Sequence, residues 1–171
     1  MTPPTGNKFF PGGVDMPYHN DADRFHSRKS PRMNWFDYSG AYCYFITICT
    51  KDKMCIFGPP GKPNRFGRIA AQGLTAIPEH FPGACIDKYV IMPNHVHAIV
   101  ELNGAGPSLP TIIGQYKSYV TREIHAISPD IPVWQTSFHD HVIRNQKGYE
   151  EIWQYIEDNP RKWEMDCFFS D

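Results

Sequence analysis

The chain has 171 residues, 41% of them hydrophobic and 14% aromatic, enough apolar side chain for one packed domain. No apolar run nears the roughly 18 residues that span a bilayer, and no apolar N-terminal segment reads as a secretory signal, so no membrane partner and a cytoplasmic location are expected. A formal net charge of −1 does not by itself mark a nucleic-acid binder, and five cysteines with no Cys-x-x-Cys pair argue against a zinc ribbon or disulfide frame and read as reduced, mostly buried thiols.

Residues 1–25 are rich in Pro, Gly, Asn and Asp without a sustained period and read as an irregular arm; 26–171 read as a single domain. Charge is unevenly placed. Arg24, His26, Arg28, Lys29 and Arg32 cluster after the arm, and Lys117, Arg122, Arg144, Lys147, Arg161 and Lys162 recur in the C-terminal half. A near-neutral chain of this kind still presents a basic face.

The aromatic and β-branched run Ala41-Tyr-Cys-Tyr-Phe-Ile-Thr-Ile-Cys-Thr50 predicts a strand. After the loop Gly58–Asn64, the stripe Phe66, Ile69, Ala70, Leu74, Ile77 predicts a helix over 65–80. A strand over 85–91 turns at Met92-Pro93-Asn94 into a second strand over 95–102, an antiparallel hairpin. Ser108 is placed to cap a helix over 109–127 that carries Ile112, Ile113, Tyr116, Val120 and Ile124 on one side. A short strand is expected over 137–143. A last helix over 147–158 is expected to stop at Asn159-Pro160, because the residue before proline disfavours helical geometry. The order β-α-β-β-α-β-α implies an α+β sandwich, an antiparallel sheet with helices on one face.

His95 and His97 stand at i and i+2 of the strand His95-Val-His-Ala-Ile-Val100, so both imidazoles project from one face while Val96 points to the other. Two imidazoles amid Val and Ile make two-thirds of a divalent-metal site, since burying them without a partner is unfavourable. In the last helix, Tyr149, Ile152, Trp153 and Ile156 form the core-facing stripe, and Tyr155 borders it. Asn159 follows Tyr155 by four residues and stacks over the same face. A phenol and a carboxamide looking onto the two histidines make a site suited to Mg²⁺ or Mn²⁺, which accept imidazole and oxygen donors with positions left open for substrate. Such a site would let a tyrosine attack a phosphodiester and form a phosphotyrosine.

Several ordered motifs extend this pattern: Ser30-Pro-Arg32 with Phe36-Asp-Tyr-Ser39, Tyr44-Phe-Ile-Thr-Ile-Cys-Thr50, Met92-Pro-Asn-His-Val-His97, Lys117-Ser118 with Thr121-Arg122, Val133-Trp-Gln135, Asp140-His-Val-Ile-Arg-Asn145 and Tyr155-Ile-Glu-Asp-Asn-Pro160. Together, over about residues 28–163, they resemble the REP-associated tyrosine transposases, a branch of the single-tyrosine HUH transposases. The resemblance implies a ferredoxin-like (RNA-recognition-like) fold and a divalent-metal nuclease and strand transferase acting on single-stranded, often hairpin-forming repeat DNA. It assigns His95 and His97 as metal ligands, Tyr155 as nucleophile and Asn159 as third ligand, where some relatives carry glutamine. It also implies DNA contacts for Arg28, Lys29 and Arg32 at the foot of a hairpin. Lys117, Arg122, His141 and Arg144 are further DNA-contact candidates, with solvation, capping or a structural role as the alternatives. His139 stays unassigned. Tyr116 and Tyr119 are rival nucleophiles, Tyr116 lying in an apolar stripe. Monomer and homodimer both stay open, and a non-catalytic module binding repeat hairpins is the alternative to the enzyme.

Overall fold

The structure, a computed structural model, describes residues 40–165 and 168–169. The arm expected over 1–25 and the basic residues Arg28, Lys29 and Arg32 lie outside the described residues. Four strands occur among those described: β1 (Cys43–Cys49), β2 (Ala84–Ile91), β3 (His95–Leu102) and β4 (His139–Ile143). The helices are α1 (Arg65–Thr75), α2 (Ile77–His80), α3 (Leu109–His125) and α4 (Gln146–Asp158). The strands form one antiparallel sheet in the order β2-β3-β1-β4. The α+β class, the antiparallel sheet and the element order are those the sequence implies.

Alternation along the strands builds two layers. Tyr44, Ile46 and Ile48 of β1, with Val96, Ala98, Val100 and Leu102 of β3, meet Ala70 and Leu74 of α1 and Ile112, Ile113, Tyr116, Val120 and Ile124 of α3. The intervening residues Phe45, Ile99 and Ile143 meet Tyr149, Ile152, Trp153 and Ile156 of α4. Of the helices expected together on one face, α1, α2 and α3 lie there, whereas α4 covers the other. The central strands explain this. Phe45 and Ile99 put large apolar groups on the second face as well, which would otherwise stay in water.

Four local expectations are corrected. The helix expected over 65–80 is two helices, α1 and α2, because Pro78 has no N–H to give the Leu74 carbonyl. Ser108 occupies the first capping position of α3, but its hydroxyl meets that of Thr111 at 3.1 Å instead of a backbone N–H; Pro110 has removed one of the two N–H groups such a cap serves. Asn159 keeps helical angles (φ −53°, ψ −44°), and the chain continues past Pro160 as a 3₁₀ helix over Asn159–Met165. A proline in the first turn of a new helix loses an N–H that has no partner there anyway. The four described cysteines form no disulfide, but Cys55 and Cys85 are exposed, not buried as expected.

At the sheet edge Lys88 lies over the Trp153 ring, 3.9 Å from its centroid, and pairs with Glu157. The hydrogen bond from Lys88, then its charge, holds the Glu157 carboxyl below the ordinary value of 4.5. A carboxylate lowered on folding adds stability that is present above its unfolded pKa and lost as pH falls through the folded one. We therefore expect wild type and Glu157→Gln to differ in Tm at neutral pH and to converge as the pH drops below about 4, a comparison made by thermal melts in a pH series.

Candidate active site

The register of β1 and β3 sets the geometry. His95 lies opposite Cys49 and His97 opposite Thr47, and both imidazoles point toward the α4 layer, completely buried. Their ring centroids are 4.4 Å apart. His97 Nδ1 is 2.9 Å from Thr47 Oγ1, and His95 Nδ1 is 2.8 Å from Asn94 Oδ1. Phe45 stacks on the His97 ring at 5.2 Å and meets Tyr155 edge-on at 6.0 Å.

From α4, the half-buried Tyr155 brings Oη to 3.3 Å from His97 Nε2. Asn159 sits one turn on, its backbone N–H bonded to the Tyr155 carbonyl and its side chain buried. Tyr155 and the two histidines thus meet at one place, supplied by β3 and by the end of α4, with Asn159 one helical turn beyond Tyr155. Two aromatic residues near the C-terminus complete the walls. Trp163 lies 6.0 Å from His95, and Phe168 lies 4.8 Å from His95 and 6.1 Å from His97.

The donor set fits a hard divalent cation. It offers imidazole nitrogen and amide oxygen, and no cluster of three or more His, Cys, Asp or Glu that would suit a closed zinc site occurs among the described residues. His95 Nε2 and Asn159 Oδ1 are buried and take no hydrogen bond from the described residues, although both residues are engaged elsewhere. Buried acceptors of this kind are what a cation coordinates.

The rival phenols are differently placed. Tyr116 is buried against α1 and donates to the Ala70 carbonyl at 3.2 Å, and burial pushes its pKa far above the usual tyrosine value. Burial, then a hydrogen bond to Asp87, does the same for Tyr149. Both groups are held protonated as structural donors. Tyr119 lies half-buried on α3, on the other side of the sheet from the histidines.

The remaining candidates are spread out. His141, opposite Phe45, shares the histidine face of the sheet, and His139 lies opposite Thr47 at its exposed end. Arg144 is exposed just before α4, where Asn145 caps the helix by accepting from the Gly148 N–H at 2.8 Å. Lys117 and Arg122 line an open groove between α3 and residues 132–135, together with Ser118, Thr121, His125 and Trp134, and no carboxylate among the described residues lines it. Lys117 Nζ donates there to the carbonyls of Gln135 (2.6 Å) and Thr136 (3.0 Å), while Arg122 is well exposed beside Glu123. This groove lies on the α3 side, so the structure does not bring it together with the histidine pair. Thr47 and Phe168 were not singled out by the sequence, because their roles depend on strand register and on a contact across more than seventy residues.

Known proteins share this fold. Residues 76–159, which hold both histidines, Tyr155 and Asn159, match the model of the IS200-like transposases. A protein of Haemophilus influenzae is 33% identical over 85% of this chain and 95% of its own. The structure of a REP-associated tyrosine transposase bound to a REP hairpin superposes with a TM-score of 0.60 and 23% identity, over 74% of this chain and 71% of that one. A proposed transposase from Deinococcus radiodurans R1 superposes with a TM-score of 0.51 and 16% identity, over 75% of this chain and 97% of that one. With its matched core carried on this fold, the chain belongs to the IS200-like transposase family.

Proposed function

We propose that this protein cleaves and rejoins single-stranded, hairpin-forming DNA through a covalent bond between Tyr155 and a DNA phosphate. The observation that carries this reading is the approach of Tyr155 Oη to within 3.3 Å of His97 Nε2, with the His95 ring beside it.

Tyr155 Oη attacks the scissile phosphorus, the P–O3′ bond breaks, and a 5′-phosphotyrosine is left with a free 3′-hydroxyl. The phenol proton is lost and the departing O3′ gains one. Attack by water would discard the energy of the broken bond, whereas the phosphotyrosine keeps it for a later 3′-hydroxyl that rejoins a strand. Phe45 and His97 fix the ring of Tyr155 from two sides, so the nucleophile is oriented before DNA arrives. His95, His97 and Asn159 would hold Mg²⁺ or Mn²⁺, which when bound supplies positive charge beside the scissile phosphate. Phe168 packs beside both imidazoles and forms part of the wall of the site.

A labelled single-stranded hairpin incubated with protein and Mn²⁺ and run on a denaturing protein gel tests this reading. A shifted protein–DNA band that disappears on chelation supports it. Tight binding with no covalent band for any hairpin would favour a non-catalytic repeat-binding module.

We further propose that Arg28, Lys29 and Arg32 grip the hairpin through phosphates and guanine edges, with His141 and Arg144 contacting DNA on the active-site side. Lys117 and Arg122 would meet a flanking strand in the α3 groove. Replacing Arg28 and Arg32 together by Ala is expected to weaken hairpin binding and flatten its salt dependence by about two ionic contacts, read from Kd across a salt series. An unchanged salt slope would remove the arm from the interface.

A further inference from the structure

Asn94 occupies the turn between β2 and β3, where its residue type alone suggests only turn chemistry. The structure gives its side chain a defined orientation. The side chain is almost completely buried, and Nδ2 donates to two backbone carbonyls, Phe168 O at 2.8 Å and Lys53 O at 3.2 Å. The reversed amide would set Oδ1 against those two carbonyl oxygens, with no hydrogen between them. Oδ1 is therefore the atom that faces His95 Nδ1, 2.8 Å away. An amide oxygen only accepts, so His95 must carry a hydrogen on Nδ1. In the neutral ring the lone pair then resides on Nε2, the buried nitrogen on the other side of the ring.

The surrounding backbone holds this arrangement in place. Thr50 N–H donates to the Asn94 carbonyl at 2.8 Å, and Phe57 N–H donates to the Pro93 carbonyl at 3.0 Å. Asp52 and Lys53 both adopt positive φ, 52° and 56°, an unusual conformation for residues with side chains. It occurs in the tight loop whose Lys53 carbonyl receives the Asn94 amide.

We infer that Asn94 is a positioning residue that fixes the proton of His95 on Nδ1 and so prepares Nε2 as a metal donor before any cation binds. The inference rests on the reading of His95 as a ligand for its purpose, but the position of the proton is measurable without metal. Thr47 Oγ1 lies beside His97 Nδ1, but a hydroxyl both donates and accepts, so it orients the second ring without selecting its tautomer.

The test is the tautomer of His95 in metal-free protein at pH 8, read from long-range ¹H–¹⁵N correlations with ¹⁵N-histidine. Wild type is expected to show the Nδ1–H form; an Nε2–H form would overturn the inference outright. Asn94→Asp keeps an acceptor oxygen and is expected to keep the tautomer, at a cost in Tm because its second oxygen meets two carbonyls. Asn94→Ala is expected to lose the single tautomer and to bind Mn²⁺ about 10- to 100-fold more weakly by calorimetry. If Asn94→Ala keeps both the tautomer and the Mn²⁺ affinity, Asn94 positions nothing. Should wild type show the Nδ1–H form yet bind no Mn²⁺, the metal reading fails and the assignment of the proton by Asn94 stands.

Discussion

Tyr155→Phe is expected to abolish the covalent protein–DNA band and lower cleavage by at least about 10³-fold, while hairpin affinity and Tm stay close to wild type. The substitution removes one oxygen and little else. The Tyr155 ring keeps its edge contacts with Phe45 and His97, and only the 3.3 Å approach of Oη to His97 Nε2 disappears. That group is half-buried, so its loss leaves no deep unsatisfied cavity. The same change at Tyr116 should act in the opposite way. Its hydroxyl is buried and bonded to the Ala70 carbonyl, so Tyr116→Phe costs stability, about 1 kcal/mol, and spares cleavage. Paired gels and thermal melts of the two variants separate a nucleophile from a structural phenol. Cleavage that survives in Tyr155→Phe would move the nucleophile elsewhere.

The second large effect concerns the histidines. His97→Ala removes one of the three proposed donors and also the ring that orients Tyr155, so both Mn²⁺ binding and Mn²⁺-dependent cleavage are expected to be lost. Ligand linkage gives a readout that needs no DNA. A cation at about 100 times its Kd stabilises a folded protein by about 2.7 kcal/mol, so Mn²⁺ should raise the Tm of wild type and of Tyr155→Phe, but not that of His97→Ala. An equal Tm rise in all three would place the cation away from the histidines. Without metal His97→Ala is also expected to melt lower, since the buried imidazole fills space against Phe45 and bonds Thr47.

Much of the site was legible because it depends on two local periods. The period of two in His95-Val-His97 puts both rings on one side of a strand in any fold, and the period of 3.6 puts Asn159 over Tyr155. The same periods yielded the strands and the amphipathic helices, with errors in where helices break and end. Those errors arose where a proline's neighbours decided the outcome: Pro78 split a helix, whereas Pro160 failed to stop one. The sequence by itself therefore determined which residue types share a face, and so which donor groups stand side by side.

Only the tertiary structure decided which faces meet. Local pattern does not choose the side of the sheet that α4 covers; that follows from the second apolar face built by Phe45, Ile99 and Ile143. Nor does it reveal that Thr47 lies beside His97, because strand register is a long-range property of β1 against β3. Asn94 read as a turn residue until the Phe168 and Lys53 carbonyls, distant in sequence, were seen to hold its amide. The division has a physical origin. Side-chain direction is fixed by backbone geometry within a few residues, while hydrogen-bond partners are fixed by the packing of elements that only the folded chain brings together.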